Sequence, residues 1–376
     1  MGRGLLAWAA LLLTAALATH AATVPPVQTV FVIVMENNNW ASFKGSASAP
    51  FINNVLLPAA AHCEQYYNPP SLHPSEPNYL WLEAGTNFGI LNNSDPANNH
   101  LATTNHLTAL LTRAGISWKT YQEDISGTYV PLTATNLYVP RHNPFVFFDD
   151  VTGTNNPADP FGLVHIRPYA ELATDLANNT APRYCFITPN LVHDGHDAGP
   201  PFYNVIRQTD DWLASEIPRI TNSAAYRDNG AIFIVWDEGL ASDGPIGMIV
   251  LSPLVRGGYF NNQHYTHSSF VRTMQDVFGV NQSYLGGAAS AADLFDLFSP
   301  FTLSGTNSAS ANGVDLTVAG VSPGRTNLVQ MSAELANWSS IATNALSLNA
   351  PSNSYRITDV SGLGAANRFY RVLQLP

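Results

Sequence analysis

Lysine is nearly absent. The 376 residues contain only Lys44 and Lys119, and charged residues of all kinds make up 11%, well below the quarter or so of an ordinary soluble domain. Sixteen basic against 27 acidic residues give a net charge of −11, so bulk charge draws the chain neither to nucleic acid nor to an anionic membrane surface. Cysteine is equally scarce. Cys63 and Cys185 are too few for a disulfide-built scaffold, and they either pair in an oxidising compartment or sit as lone thiols in separate strands. Long apolar runs are missing too, apart from LLAWAALLLTAALA at residues 5–18, short of the roughly 20 residues of a membrane span. With Arg3 before it and Thr19 and Ala21 after it, this run makes residues 1–22 an export signal cleaved after Ala21 or Ala22. A secreted or periplasmic protein with no membrane span is expected. Apolar residues at 45% and aromatics at 11% supply a packed core, and the length suits two domains.

Charge divides the chain unevenly. From Asp315 onward, Arg325, Arg356, Arg368 and Arg371 face Asp315, Glu334 and Asp359, a tail of +1 that leaves −12 for everything before it. Such a surplus of carboxylates is what a site for a divalent cation produces, and ordinary surface solubility produces it as well.

Residues 27–35 form a nearly continuous β-branched run that ends abruptly in Glu36 and three asparagines, the pattern of a central strand buried on both faces. AIFIVW at 231–236, GMIVLSP from Gly247, RYCFITPN and ISWKTYQE read the same way. Between them, helical spacing appears at 101–113, 169–176 and 210–220, the last opened by acidic residues suited to a helix N-terminus. Alternating strand and helix predicts an α/β domain around a mostly parallel sheet. Its expected span is 23–299. A Ser/Asn/Gly-rich linker at 300–312 leads to short strand-like runs over 313–376, expected to form a small β-sandwich.

In such a sheet, ligands bind beyond the carboxyl ends of the strands. Two strands end there in acids, Glu36-Asn37 and Asp237-Glu238, and together they offer hard oxygen ligands for Mg²⁺, Ca²⁺, Mn²⁺ or Zn²⁺. Helix caps and turns use the same residue types. In SLHPSEPNYLWLEAG, Ser75 opens a helix-like segment, where orphan backbone N–H groups favour a phosphate. Metal coordination would make its hydroxyl a nucleophile, with Asn78 aiming an amide at a phosphoryl oxygen. The block His193-Asp194-Gly195-His196-Asp197 follows one strand, and His267 follows another loop. Such residues can bind a metal, hold phosphate or protonate a leaving oxygen.

Taken in order, VIVMENNNW, HPSEPNYL, GISWKTYQE, RHNPFVFF, ITPNLVHDGHD, IFIVWDEG, VLSP and YTHSSFVRTMQDVFG resemble the phosphoesterase family of acid phosphatases and phospholipases C, a branch of the alkaline-phosphatase-like superfamily. The resemblance implies an alkaline-phosphatase-like three-layer α/β sandwich and one divalent metal ion ringed by Glu36, Asn37, Ser75, Asp237 and Glu238. It casts Ser75 as the attacking residue and Asn78 as the stabiliser of the transition state. His193, Asp194, His196 and His267 would contact the phosphate, and His196 and His267 would also protonate the leaving group. Two-zinc relatives carry Asp-His where this chain has Asp237-Glu238, a poorer match to a nitrogen-rich zinc site, so one tightly held metal is expected and a second at Asp194, His196 and His267 is the lesser alternative. The chain is shorter than phospholipase C members, which favours a phosphomonoesterase acting on a small phosphate ester over a phospholipase C or phosphodiesterase. A sulfatase reading fails because Ser75-Glu76-Pro77 is not followed by arginine. A secreted binding protein with an inactive enzyme domain is the alternative of another class, with the tail touching polysaccharide or the cell surface. Arg141 and His142, in RHNPFVFF, offer further contacts to a phosphate.

Overall fold

The computed structural model describes residues 24–240, 243–298, 302–307, 313–319, 326–333, 337–345, 354–360 and 368–375. The expected export signal at 1–22 lies outside the described residues. Ten strands precede residue 267: β1 (Val30–Met35), β2 (Ala61–Cys63), β3 (Tyr66–Tyr67), β4 (Trp118–Gln122), β5 (Ile166–Pro168), β6 (Tyr184–Thr188), β7 (Ala231–Trp236), β8 (Met248–Leu251), β9 (Phe260–Asn261) and β10 (Tyr265–Thr266). Eight of them form one sheet in the order β5-β4-β6-β1-β7-β8-β2-β9. It is parallel except where β8 runs against its two neighbours. Every residue of β1, β6 and β7 is buried, so both faces are covered, and this is why these strands read as continuous apolar runs rather than alternating ones.

The helices of seven residues or more are α1 (Ser75–Ala84), α2 (Leu107–Arg113), α3 (Ala170–Asn178), α4 (Val205–Thr221) and α5 (His267–Val277). They fall into two groups. Helices α1, α2 and α5 pack on one another; α3 and α4 are joined through Tyr169, whose ring lies 5.6 Å from that of Trp212 and whose hydroxyl donates to Glu216 at 2.8 Å. Two helical groups around a doubly covered sheet give the expected three layers.

Three local expectations change. Helix α4 starts at Val205 rather than Asp210, capped by the Asn204 side chain, which accepts from the Arg207 N–H. Asp210 is buried within it and accepts from the backbone N–H groups of Phe51 and Ile52 at 2.9 and 2.7 Å, so its acid caps a neighbouring segment instead of its own helix. Helix α2 covers only the end of the 101–113 pattern, because the Leu101 backbone is drawn into bonds with Phe147 and Asp149. Cys63 and Cys185 are buried free thiols on β2 and β6, with β1, β7 and β8 between those strands, so no bridge joins them.

The tail contains β11 (Thr302–Asn307), β12 (Val314–Ala319), β13 (Thr326–Ser332), β14 (Ser339–Ala345), β15 (Ser354–Asp359) and β16 (Phe369–Leu375). They make two antiparallel sheets, β11-β12-β15 and β14-β13-β16. Leu316 and Val318 of the first sheet pack with Val329 and Val372 of the second in a small core separate from the main one. Part of the expected linker is therefore strand: Thr302–Asn307 pairs along its length with β12, because a strand's backbone can pair whatever the polarity of its side chains.

Candidate active site

The sheet register assembles the acids. Strands β1 and β7 run parallel with Met35 opposite Trp236, so the next residues, Glu36 and Asp237, leave the sheet side by side. On the other flank of β1, Ile33 pairs with Ile187 of β6, and the segment after β6 returns to bond Glu36: its backbone N–H donates to the Asp194 carbonyl at 3.0 Å. Asn37 has φ 41, a left-handed conformation that Asn adopts more easily than most residues. Its backbone N–H donates to Asp237 Oδ1 at 3.1 Å. Glycine is required at 195, where φ is +94 and a Cβ would meet Thr209 Oγ1 at 2.5 Å; the tight turn there puts Asp194 under β1.

Ser75 is the first residue of α1, after Pro74 in extended conformation. It is buried, and its Oγ donates to Glu36 Oε2 at 3.2 Å and lies 3.5 Å from Glu238 Oε1. The Glu238 N–H donates to Asp237 Oδ1 at 2.7 Å. Glu36, Ser75, Asp237 and Glu238, predicted from two strand ends and a helix start, thus converge.

The other predicted residues separate. Asn78 is buried, but its amide N–H groups donate to the carbonyls of Leu72 and Pro74 at 2.8 and 3.1 Å. They brace the loop that presents Ser75 instead of aiming at a phosphoryl oxygen. His267 is fully buried: Nε2 lies 2.6 Å from the Asp237 carbonyl and Nδ1 lies 3.1 Å from the Tyr66 hydroxyl. Burial depresses its pKa to about 4 against the opposing bond to that carbonyl, so the ring is neutral, with Nε2–H donating to Asp237 and Nδ1 accepting from Tyr66. It positions Asp237 and is not placed as a proton donor. His193 is bound to Glu123, 2.7 Å from Nδ1. His196 sits near the cluster, its Nδ1 held 2.7 Å from Asp197 and its ring 5.8 Å from that of His142. The alternative second-metal set of Asp194, His196 and His267 is not brought together as a cluster. Asp194 instead groups with Glu36 and His142, with ligand atoms within 4.8 Å of one another.

His142 is the member whose weight composition does not reveal. It is buried, with Nε2 3.2 Å from Glu36 Oε1, Nδ1 3.3 Å from Asp194 Oδ2, and its ring stacked on Tyr79 at 5.2 Å. The sequence offers it only as an alternative to Arg141 for contact with a phosphate. Those distances suit an ion pair, yet burial, with Arg141 and His196 nearby, drives its pKa well below the usual value. We take the ring as neutral, since desolvation of a fully enclosed imidazole dominates.

The carboxylates behave in the opposite sense. Burial and then the Asp237 charge raise Glu36 well above its ordinary range; burial raises Asp194 likewise; burial lifts Asp237 to about 7 against the Asn37 and Glu238 N–H bonds; and burial with Asp237 lifts Glu238 to about 9. Glu36 Oε1, Asp194 Oδ2, Asp237 Oδ2 and Glu238 Oε2 are buried without hydrogen-bond partners in the protein. Several buried acids that cannot all ionise unaided are a donor set missing its positive charge, and hard oxygens of this kind suit a divalent cation. The residues therefore fit the metal that the family resemblance implies.

A model of the Phosphoesterase family matches residues 48–281. The chain is 27% identical over 279 residues to the phosphatidylinositol-3-phosphatase of Mycobacterium tuberculosis, covering 74% of this chain and 85% of that one. It is 29% identical over 236 residues to an acid phosphatase of Aspergillus niger, covering 59% and 52%. The chain spans about half the length of the fungal acid phosphatases it matches. Among solved structures, the lipoteichoic acid synthase LtaP from Listeria monocytogenes shares the fold with a TM-score of 0.50 at 10% identity, covering 79% of this chain and 84% of that one. With the family match over most of the chain, the reading as an inactive binding protein falls away. The chain belongs to the phosphoesterase family and is a hydrolase of phosphoric ester bonds.

Proposed function

We propose that this protein is an exported, metal-dependent phosphomonoesterase of acid-phosphatase type that works through a phosphoserine on Ser75. The observation that carries the proposal is the Ser75 hydroxyl, buried at a helix start and donating to Glu36 with Glu238 beside it. A divalent cation held by Glu36, Asn37, Ser75, Asp237 and Glu238, with Mg²⁺, Ca²⁺, Mn²⁺ and Zn²⁺ all admissible, would lower the serine hydroxyl's pKa and offset the buried charge.

The chain's own residues do the rest. Glu36, with Glu238 beside it, accepts the Ser75 proton, and Oγ attacks phosphorus. As the Oγ–P bond forms, the bond from phosphorus to the ester oxygen breaks, and the departing alkoxide takes a proton from His196, whose Nδ1 is held by Asp197. Water then gives a proton to His196 and attacks the phosphoserine; the Oγ–P bond breaks, inorganic phosphate leaves, and the carboxylate returns its proton to Ser75 Oγ. Asn78 and His267 act as positioning residues, the one bracing the Ser75 loop and the other the Asp237 backbone.

The test is hydrolysis of p-nitrophenyl phosphate, bis-p-nitrophenyl phosphate and p-nitrophenylphosphorylcholine from acid to alkaline pH, with and without chelator. Chelator-sensitive turnover of the monoester is the expected result. Preference for a diester would move the reading to phospholipase C or phosphodiesterase. The tail is a spacer or an attachment to polysaccharide or the cell surface, and retention of the protein on cell-wall fractions would distinguish the two.

A further inference from the structure

The loop that delivers Ser75 also carries His73, two residues before it. Asp243 pins this loop: the Ser71 backbone N–H donates to Asp243 Oδ1 at 3.0 Å, and His73 Nε2 lies 3.1 Å from the same oxygen. The other ring nitrogen faces the acids. His73 Nδ1 is 3.5 Å from Glu238 Oε2, and both atoms are buried without a hydrogen-bond partner among the described residues. The His73 side chain as a whole is 37% exposed, so the enclosure of Nδ1 is particular to that atom.

This pair of atoms is incomplete by itself. Asp243 is the nearer carboxylate and draws the ring proton to Nε2, which leaves a lone pair on Nδ1. Glu238 Oε2 presents another. Two acceptors that face each other away from water are disfavoured unless a positive group stands with them. Their spacing fits a shared cation. Two atoms that ligate one metal at about 2.1 Å lie roughly 3.0–3.5 Å apart, and Ser75 Oγ has the same spacing from Glu36 Oε2, at 3.2 Å, and from Glu238 Oε1, at 3.5 Å. Asp243 adds the remaining feature of such a site, because a histidine bound to a metal usually gives its other ring N–H to a carboxylate, which fixes the tautomer and makes the ligand more basic.

We propose that His73 Nδ1 is a nitrogen ligand of the divalent cation, and that Asp243 is the positioning residue that aims it. The proposal rests on the metal-dependent reading given above and adds a choice of metal to it. Oxygen donors alone suit Mg²⁺, Ca²⁺ or Mn²⁺, whereas an imidazole among them moves the preference towards Zn²⁺.

The experiment uses the full chain, stripped with chelator and reloaded, as wild type, His73→Gln and Asp243→Asn. Electron spin-echo modulation of the Mn²⁺-loaded proteins reads nitrogen bound to the metal, and calorimetric titration gives Kd for Zn²⁺ and Ca²⁺. The wild type should show a histidine nitrogen coupling. His73→Gln should remove it, weaken Zn²⁺ binding by about 100-fold and leave Ca²⁺ within about threefold. Asp243→Asn should keep the coupling and weaken Zn²⁺ by about tenfold. An unchanged coupling in His73→Gln, or equal losses of Zn²⁺ and Ca²⁺ binding, would overturn the proposal and leave the metal-dependent reading standing. So would a Mn²⁺-loaded wild type without any nitrogen coupling, a result that does not depend on how the variants fold. A wild type that binds neither Mn²⁺, Zn²⁺ nor Ca²⁺ would remove the metal-dependent reading and this ligand with it.

Discussion

Ser75 depends on two kinds of neighbour. Glu36 accepts its hydroxyl hydrogen bond with Glu238 beside it, and Asn78 holds the turn before it. Replacing Ser75 with Ala removes the proposed nucleophile and no packing of consequence. Turnover of p-nitrophenyl phosphate should fall by roughly 10⁴-fold or more, with the thermal unfolding midpoint unchanged; near-wild-type rates would take Ser75 out of the mechanism. Asn78→Ala should behave differently. It takes the amide donor from the half-buried Pro74 carbonyl and leaves the Leu72 carbonyl to Asn68 alone, so urea unfolding should show a loss of about 1 kcal/mol along with the loss of activity. Sequence spacing placed Ser75 and Asn78 together on one turn of helix. It did not reveal that the amide faces back to its own loop, because a side chain's hydrogen-bond direction follows from which carbonyls the fold leaves unpaired.

Strand ends bring the acids together, and a helix start brings the serine to them. The parallel register of β1 and β7 makes neighbours of Glu36 and Asp237, about 200 residues apart in sequence. A different ion cluster fixes the far end of α1: His106 lies between Glu83 of that helix at 3.1 Å and Asp150 at 3.0 Å, with its ring on Phe148. Burial works against the charged ring, but the bonds to Asp150 and Glu83 outweigh it and hold its pKa above the usual value. A raised folded pKa means the native state binds the proton more tightly than the unfolded chain. The stabilisation is complete below the unfolded pKa of about 6.5 and is lost as pH rises through the higher folded value. The His106→Gln variant should therefore lose more unfolding free energy relative to the wild type at pH 5.5 than at pH 8.5. An identical pH slope in the variant would show that His106 contributes nothing to it.

Across the whole molecule, one charge imbalance and one division of the core matter most. The buried oxygens Asp237 Oδ2 and Glu238 Oε2, without a hydrogen bond in the protein, and Glu36 Oε1 and Asp194 Oδ2, which face only the neutral His142 ring, should make the native state bind a divalent cation far better than the unfolded chain does. Saturating metal at about 100 times Kd then adds roughly 2.7 kcal/mol, and chelator should lower the unfolding midpoint together with activity. A midpoint insensitive to both chelator and added metal would argue against a cation there. The tail's core shares no residue with the main one, so a chain ending at Phe298 should keep its p-nitrophenyl phosphate turnover, whereas lost turnover with intact folding would give the tail a part in the site. The sequence by itself determined the alternation of strand and helix, the buried strands and the acids at their ends, because apolar periodicity and polar breaks are local properties of the chain. It also carried the ordered motifs of a phosphoesterase. Only the tertiary structure decided that His142 joins Glu36 and Asp194, that His267 serves Asp237, that His193 is bound to Glu123 and that the two thiols stay apart. Those outcomes depend on strand order and on the desolvation of each side chain, which are set by contacts between segments far apart in the chain.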